Sequence, residues 1–384
     1  MPARSAIVIG GGIGGLSAAL YLRRAALEVS VFEREERLSE IDTGVTLWAF
    51  AIRRLQELGL ADELPEIGRP FERVLHCSRD GRSLGEVSVG SLSSRIGAPS
   101  YEIHRAKLQA LLAGALGHDR MAFDRRCTGV HQDGSSVRAM FADGETASAD
   151  LLIGADGVHS TVRDAVVGQI GLRRGQIGVW RGIAPLRQDE LPSDAHVRIM
   201  GPAGLFGVAK LSDDLIRWYA GAPFPPRRPQ SGAERKRAAL DQFEGWPQLV
   251  VDTLRRTAEH DYLFNDTPHA RPFRPWGDRR VTLLGDAAHC SLPTLGISAG
   301  LAIEDAAMLG ESLLSANLEI SGLRAYERKR QRVTSRVVRA ARLSGKGLMI
   351  RRGPVATLRD TGVRLAPQAV AIRWLAGGGT WRYI

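Results

Sequence analysis

Residues Ser5 to Glu35 read SAIVIGGGIGGLSAALYLRRAALEVSVFERE. The stretch opens with an apolar strand, turns at a run of glycines, continues as an amphipathic helix, and closes with a second strand that stops at Glu33. A strand, a helix and a strand within about thirty residues form the unit from which parallel α/β sheets are built. The stretch therefore predicts an α/β fold with a Rossmann-like domain at the start of the chain.

The glycines of this unit follow the pattern G-x-G-x-x-G at Gly10, Gly12 and Gly15. They allow a tight turn, a close approach of the backbone to a diphosphate, and close packing of helix on strand. Glu33 follows the last of them at a distance suited to accept a hydrogen bond from a ribose hydroxyl. No second unit of this kind occurs in the sequence. The dinucleotide contacts predicted here are Gly10, Gly12, Ile13, Gly14, Gly15, Glu33 and Arg34.

Two later stretches also run from an apolar strand through an aspartate into a helix. They are DLLIGADGVHSTVR, from Asp150 to Arg163, and VTLLGDAAHCSLPTLGIS, from Val281 to Ser298. Open α/β sheets bind their ligands at the carboxyl ends of the strands. Both aspartates are therefore predicted to lie at the same edge of the sheet as the glycine turn.

Composition places further bounds on the chain. Its 384 residues, of which 44% are hydrophobic, can bury a full core and suggest two or three domains. No apolar run reaches the roughly 18 residues of a membrane span, and the amino end enters a strand too soon for a signal peptide. The three cysteines have no metal-ligand spacing and cannot all pair, which favours free thiols, no metal and a cytoplasmic location.

The net charge of +10 comes from the carboxyl-terminal part of the chain. Between Arg324 and Arg364 there are eleven arginines and two lysines against Glu327 and Asp360. Such a segment could meet phosphates or an anionic membrane surface. Because no aromatic residues are interleaved for base stacking, a solvated basic face is the preferred interpretation and no nucleic-acid partner is expected.

The three motifs, in this order and spacing, resemble those of the single-component FAD-dependent aromatic hydroxylases, the p-hydroxybenzoate hydroxylase-like flavoprotein monooxygenases. The resemblance extends to about residue 330 and implies that FAD is the cofactor. It implies that Asp286 accepts a hydrogen bond from a ribityl hydroxyl and that a helix starting near Leu295 faces the flavin pyrimidine. The further cofactor contacts it implies are Thr46, Arg105, Cys127, Asp156, Gly157, Gly285, Asp286, Gly296, Ile297, Ser298 and Ala299.

Three of these positions keep a structural alternative. Arg105 could be an ordinary surface arginine, Thr46 a strand residue, and Cys127 a small buried hydrophobe.

The resemblance also implies a reaction. NADPH or NADH reduces FAD, O2 adds to the flavin, and the C4a-hydroperoxide hydroxylates or epoxidises an aromatic or polycyclic small molecule. Tyr219 is the candidate general base, and Pro293 lies in the turn where substrate would meet the flavin. The oligomeric state is expected to be monomer or homodimer.

About 110 residues between the second and third motifs are rich in β-like runs and predict an antiparallel sheet that covers the substrate. Since alternate side chains face opposite ways, about two of five candidates (Trp180, Phe206, Val208, Trp218, Tyr219) are expected to line the pocket, the others packing in a sheet core. The substrate contacts predicted are Trp180, Arg181, Phe206, Val208, Tyr219, Pro293 and Leu295.

The predicted organisation is a discontinuous FAD domain, a substrate sheet inserted into it, and a carboxyl-terminal helical segment. The FAD domain comprises 1–72, 98–175 and 270–340, the substrate sheet 73–97 and 176–269, and the terminal segment 341–384.

Two places depart from the family pattern: Ser298 and Gly300 replace a glycine and an asparagine, and Ala49-Phe50 replaces Pro-Asn. They leave two alternatives open, an FAD-dependent reductase or oxidase of an apolar, isoprenoid-like substrate, and a non-catalytic flavin or ligand binder.

Overall fold

The computed structural model describes residues 3–38, 43–201 and 204–348. Most of the predicted carboxyl-terminal segment, from residue 349 onward, therefore lies outside the described residues. The strands are β1 (Ser5–Ile9), β2 (Glu28–Phe32), β3 (Gly44–Leu47), β4 (Gly68–Phe71), β5 (Arg73–Ser78), β6 (Ser83–Ser88), β7 (Ser100–His104), β8 (Met121–Ala122), β9 (Cys127–Gln132), β10 (Val137–Phe141), β11 (Thr146–Ala149), β12 (Leu151–Gly154), β13 (Ile177–Pro185), β14 (Ala195–Gly201), β15 (Gly204–Lys210), β16 (Leu215–Pro223), β17 (Leu263–Asn265) and β18 (Val281–Leu283).

The helices connect and cover these strands. They are α1 (Ile13–Arg24), α2 (Ala49–Glu57), α3 (Leu64–Ile67), α4 (Gly90–Ile96), α5 (Arg105–Leu116), α6 (Thr161–Val166), α7 (Gly232–Gln242), α8 (Gln248–Arg256), α9 (Asp286–His289), α10 (Ser298–Ser315) and α11 (Ser321–Leu348). Within the described ranges, every helix is either too short or too polar to serve as a membrane span.

A parallel sheet in the order β18-β12-β1-β2-β8 carries the three sequence motifs. Its strands are short and largely buried, as in β12, where all four residues are buried. Helices α1 and α10 pack against each other and, with the sheet, enclose the larger hydrophobic core. The predicted α/β fold with a Rossmann-like parallel sheet is confirmed.

The second large sheet has the order β17-β13-β16-β15-β14-β5-β6. It is antiparallel except where β14 and β5 run parallel, because the chain reaches those two strands from different parts of the sequence. One face packs on α7 and α8 and forms a separate core, while the other faces the parallel-sheet half of the molecule. Two three-stranded sheets, β3-β7-β4 and β11-β10-β9, are the remaining sheets of the described residues. The exact domain bounds proposed from the sequence stay a prediction.

Candidate flavin and substrate site

The carboxyl ends of four parallel strands converge at one edge of the sheet. Ile9 pairs with Gly154 and Phe32, and Gly154 pairs with Leu283, so the chain leaves these strands side by side. A single space is therefore surrounded by four features: the glycine turn, Glu33, the Gly-Ala-Asp-Gly loop and the Gly-Asp turn. Sequence motifs far apart in the chain thus meet where α/β sheets bind ligands.

The glycine turn has the shape that a diphosphate requires. Gly10 adopts φ +108°, and a Cβ there would lie 2.5 Å from the Ala155 carbonyl oxygen. A Cβ on Gly15 would lie 1.9 Å from the Gly10 oxygen, whereas one on Gly12 would meet nothing within 4 Å. Helix α1 begins at Ile13 without a side-chain cap, so its first N–H groups face this open space. The turn fits a phosphate group that accepts those hydrogen bonds.

Glu33 helps to shape the same turn. Its carboxylate accepts hydrogen bonds from the Gly11 N–H at 2.6 Å and the Glu35 N–H at 3.1 Å. Glu33 is half-buried, which leaves an oxygen accessible to a ribose hydroxyl.

Two further predicted cofactor contacts lie elsewhere on the surface and in the core. Arg34 is exposed and pairs with Glu35. Cys127 begins β9 and is buried, and this burial raises the pKa of its thiol to about 11. The cofactor roles of these residues and of Glu33 stay predictions.

Asp156 is occupied by the loop that contains it. Its carboxylate accepts hydrogen bonds from the Ser160 hydroxyl at 2.5 Å and the Val162 N–H at 3.1 Å, while Ser160 caps helix α6. The buried Arg163 joins this loop to the next motif by donating to the Ala287 carbonyl at 3.3 Å. Gly157 takes φ +80°, which turns the chain at this point. Asp156 therefore fixes the loop and does not project freely toward a ligand.

Asp286, in contrast, is available. Within the described residues no group donates a hydrogen bond to its half-buried carboxylate. Burial raises the pKa of Asp286, although the nearby His289, Arg105 and Arg181 act to lower it. Arg105 and Arg181 likewise have no hydrogen-bond or ion-pair partner for their guanidinium groups in the described ranges. Burial and the neighbouring Arg105 and Arg217 lower the pKa of Arg181 to about 10. Unpaired groups of both signs in one cleft indicate a polar ligand between them.

The turn after α9 differs from its predicted form. Pro293–Leu295 is a single 3-10 turn, Gly296 takes φ +64°, and helix α10 begins only at Ser298. The prediction of a helix starting near Leu295 was wrong because the left-handed Gly296 interrupts the helical backbone. The Trp48 indole donates to the Gly296 carbonyl at 3.2 Å and holds this turn against β3.

One large cavity lies between the inner face of the seven-stranded sheet, strand β3 and this turn, with about 1150 Å³ of free volume that is partly open to solvent. Of the predicted cofactor contacts, Thr46, Arg105, Gly296, Ser298 and Ala299 line it. Of the predicted substrate contacts, Arg181, Tyr219, Pro293 and Leu295 line it.

Trp180, Phe206 and Val208 do not line the cavity, so their assignment to the substrate pocket was wrong. All three are at most 1% exposed and pack in the core beneath α7 and α8. Alternation along a strand gives two faces but does not say which one is covered by helices. Trp218, also a candidate, lies in that core, and its ring stacks on Phe206.

The sequence-based analysis missed three polar residues that line the cavity, His196, Arg198 and Arg217, and the buried Glu102 behind them. Glu102 of β7 is 1% exposed and forms an ion pair with Arg217 of β16. It also forms a hydrogen bond with His196 of β14, whose Nδ1 lies 2.8 Å from the Glu102 Oε1. Tyr219 lies 3.2 Å from His196 Nε2 and accepts a hydrogen bond from Arg198 Nε at 3.0 Å. Strand alternation could have placed Arg217 with Tyr219, but nothing local pairs them with Glu102.

The charges of these residues follow from their contacts. Burial alone would raise the pKa of Glu102, but Arg217 and His196 lower it to about 2. Burial, with Arg217 and Arg198, lowers the pKa of His196 despite the adjacent carboxylate. At neutral pH Glu102 is therefore ionised and His196 is neutral. The His196 Nδ1–H donates to Glu102, and Nε2 is left to accept the Tyr219 hydroxyl proton.

Comparison with known proteins agrees with this geometry. The family model of the FAD binding domain matches residues 4–341. The FAD-dependent urate hydroxylase of Klebsiella pneumoniae is 30% identical over 374 residues, covering 94% of this chain and 96% of the relative. The 3-amino-4-hydroxybenzoate 2-monooxygenase of Streptomyces cremeus is 32% identical over 378 residues, covering 96% of this chain and 94% of the relative.

A solved structure also has a similar fold. The crystal structure of Klebsiella pneumoniae HpxO complexed with FAD and uric acid superposes with a TM-score of 0.90. Its sequence is 26% identical, and the match covers 98% of this chain and 96% of that one. FAD fits the glycine turn and the unpaired side chains of Asp286 and Arg105.

Proposed function

This chain belongs to the single-component FAD-dependent aromatic hydroxylase family, and from that premise we propose that it hydroxylates a small anionic aromatic molecule held against Tyr219. The enzyme is a flavoprotein monooxygenase with FAD as cofactor. NADPH or NADH as reductant and O2 as co-substrate are part of the proposal. Bound FAD, once reduced, supplies the activated oxygen, and the protein supplies orientation, exclusion of water and a base.

The observation that carries the proposal is the alignment of Tyr219, His196 and Glu102. Arginine has only donors, so the Arg198 N–H occupies one lone pair of the Tyr219 oxygen. The Tyr219 hydroxyl proton therefore points to His196 Nε2, and the opposite ring nitrogen donates to Glu102. This order of groups can withdraw a proton from a molecule that contacts Tyr219.

The proton steps follow directly. As a phenolic or imidic substrate gives its proton to the Tyr219 oxygen, Tyr219 passes its own proton to His196. The imidazolium so formed is stabilised by the ionised Glu102, which Arg217 and Thr46 hold in place. A deprotonated ring is richer in electrons and reacts faster with an electrophilic oxygen. Tyr219, His196 and Glu102 thus act as one general-base unit.

The remaining lining indicates the kind of substrate. Val74, Val179, Leu205 and Leu295 offer apolar surface on which a ring can lie. Arg181 lacks a hydrogen-bond or ion-pair partner in the described part of the chain, and Arg198 donates hydrogen bonds to the Tyr219 hydroxyl and the Thr294 carbonyl. An acidic group on the ring would neutralise these guanidinium groups. Named relatives act on urate and on an aminohydroxybenzoate, which share this character.

The two alternatives, a reductase or oxidase and a non-catalytic binder, are less well supported because the named relatives are a hydroxylase and a monooxygenase. A Cβ on Gly300 would lie 2.9 Å from the Phe50 ring, so the unusual residues at 50 and 300 accommodate each other. We also propose a reducing, cytoplasmic location, since Cys77, Cys127 and Cys290 are all free.

The deciding experiment measures NADH or NADPH oxidation and O2 uptake by the FAD-loaded protein. We expect urate or 3-amino-4-hydroxybenzoate to stimulate both, and mass spectrometry to find a product that has gained one oxygen atom. Tyr219→Phe is the matched control, because it keeps the ring that packs over Gly207 and removes only the hydroxyl. Reductant oxidation that no acidic aromatic compound stimulates, with no oxygenated product, would overturn the proposal.

A further inference from the structure

Asp305, in α10, is completely buried and lies beneath the Gly-Asp turn of the flavin site. Its Oδ2 lies 2.5 Å from His289 Nε2 and accepts the Gly285 N–H at 3.1 Å. Its Oδ1 accepts Arg330 Nε at 2.5 Å. The Gly285 N–H and the Arg330 guanidinium both donate to this carboxylate, so Asp305 is ionised and can only accept hydrogen bonds. The His289 Nε2 that faces it therefore carries a proton.

The backbone that Asp305 holds is unusual. Gly285 has φ +62° and ψ −138°, a conformation that a residue with a side chain rarely adopts. It precedes Asp286 directly and caps the four-residue helix α9, which His289 ends. Asp305 forms hydrogen bonds with both ends of this short segment, at Gly285 and at His289. The hydrogen bonds of Gly285 and His289 to Asp305 therefore set the direction in which the Asp286 side chain projects.

Helix α11 anchors the same segment from outside. Its Arg330 completes the Asp305 cluster, its Tyr326 donates to the Leu283 carbonyl at 3.0 Å, and its Glu327 accepts the Thr282 hydroxyl at 2.6 Å. Strand β18 and the turn after it are thus fixed by a helix that lies beyond the three nucleotide motifs. None of these side chains lines the cavity.

We propose that Asp305 is a positioning residue for FAD, which couples helix α11 to the Gly285–Asp286 turn and presents the Asp286 carboxylate to the cofactor. The inference uses the FAD site of the proposed function but not its reaction. FAD affinity can therefore test it whether or not urate or any other aromatic compound is hydroxylated.

The adjacent residue provides a matched control. Glu304 is also buried in α10, at 2% exposure, and its carboxylate binds Arg54 through Nε at 2.9 Å and Nη2 at 3.1 Å. It makes no hydrogen bond to the segment 285–289. Asp305→Asn and Glu304→Gln both disrupt a buried ion pair on the same helix, but only the first disturbs the turn.

The experiment compares the two variants with the wild-type holoprotein. FAD dissociation constants are measured by flavin fluorescence, the flavin midpoint potential by dye equilibration, and thermal midpoints on the apoproteins. We expect Asp305→Asn to weaken FAD binding roughly 10- to 100-fold, by analogy with the loss of residues that orient the ligands of metal sites. We also expect a shifted potential, whereas Glu304→Gln lowers the thermal midpoint alone. Equal FAD affinity in both variants, or losses that track the thermal midpoint, would overturn the inference.

A second variant guards against a failure of Asp305→Asn to fold. Arg330→Lys keeps the positive charge against Asp305 but loses the Nε geometry. We expect weaker FAD binding and a shifted potential in this variant at nearly unchanged thermal stability. Wild-type affinity and potential in Arg330→Lys would count against a link between α11 and the turn.

Discussion

The ring of Phe50 occupies the space that a side chain at position 300 would need. A Cβ built on Gly300 would lie 2.9 Å from Phe50 Cζ and 3.3 Å from the Ala51 Cβ. Phe50 is fully buried between α2 and α10. Two positions that look like separate oddities in the sequence therefore form one packing arrangement, with the large residue on one helix matched by glycine on the other.

This arrangement predicts a stability cost for Gly300→Ala. Overpacking against Phe50 should lower the free energy of unfolding by about 1–3 kcal/mol. Urea unfolding measures it. Gly114→Ala in α5 is the control, since a Cβ there meets nothing within 4 Å and should stabilise the helix slightly. A Gly300→Ala protein as stable as Gly114→Ala would refute the steric account.

Asp286→Ala should release FAD. The carboxylate is unpartnered in the part of the chain that the structure describes, so its hydrogen bond is free for the cofactor. A hydrogen bond to a charged group contributes about 1.5–3 kcal/mol, which corresponds to a roughly 10- to 150-fold rise in the FAD dissociation constant. Dialysis followed by an absorbance spectrum checks it. Full FAD occupancy after dialysis would remove Asp286 from the cofactor site.

His196→Gln should slow hydroxylation without releasing FAD. Loss of general-base catalysis commonly costs about 100-fold or more in kcat. Because the base acts by deprotonating the substrate, activity of the variant should recover as pH rises above the pKa of the substrate itself. Steady-state rates across pH test this. A constant deficit at all pH values would indicate a structural role for His196.

Arg181→Gln should raise KM for acidic substrates selectively. The unpaired guanidinium can bind a carboxylate by a charge-assisted contact, whose loss corresponds to a roughly 10- to 150-fold rise in KM. The carboxamide analogue of the same substrate is the internal control and should show a much smaller change. Equal effects on acid and amide would show that Arg181 does not read the acidic group.

His76 should make the protein less stable in acid. Burial, with Arg198 and His196 nearby, lowers its pKa to about 3, and its Nδ1 is buried without a partner in the described chain. Between about pH 6.5 and 3 the unfolded chain therefore binds a proton that the folded chain does not. Stability should fall with decreasing pH by up to about 1.4 kcal/mol per pH unit from this residue.

The comparison of His76→Gln with wild type isolates this effect. Urea unfolding at several pH values should give a flatter dependence in His76→Gln, while the exposed His118→Gln keeps the wild-type slope. Identical slopes in all three proteins would show that His76 is protonated in the folded state.

The local motifs were predictable because each is built from residues close in sequence. The glycine turn at Gly10–Gly15 and the Gly285-Asp286 turn each carry their own backbone requirements, and strand direction brings them together. The base unit was not predictable, because Glu102 and His196 are 94 residues apart and meet only through tertiary packing. The substrate-pocket prediction for Trp180 was wrong for a related reason. Its large ring suggested a pocket position, but tertiary packing of helix α8 covers that face of the sheet.

The position of β18 has a consequence for synthesis on the ribosome. This strand forms an edge of the parallel sheet beside β12, although more than a hundred residues, including most of the second sheet, are translated between them. Until Val281 has emerged, the nascent chain exposes the apolar edge of β12 with no strand to pair with it. Such unpaired edges promote aggregation and slow folding. We therefore expect fragments that stop before β18 to depend on chaperones, whereas the longer chain contains the strand that pairs with β12.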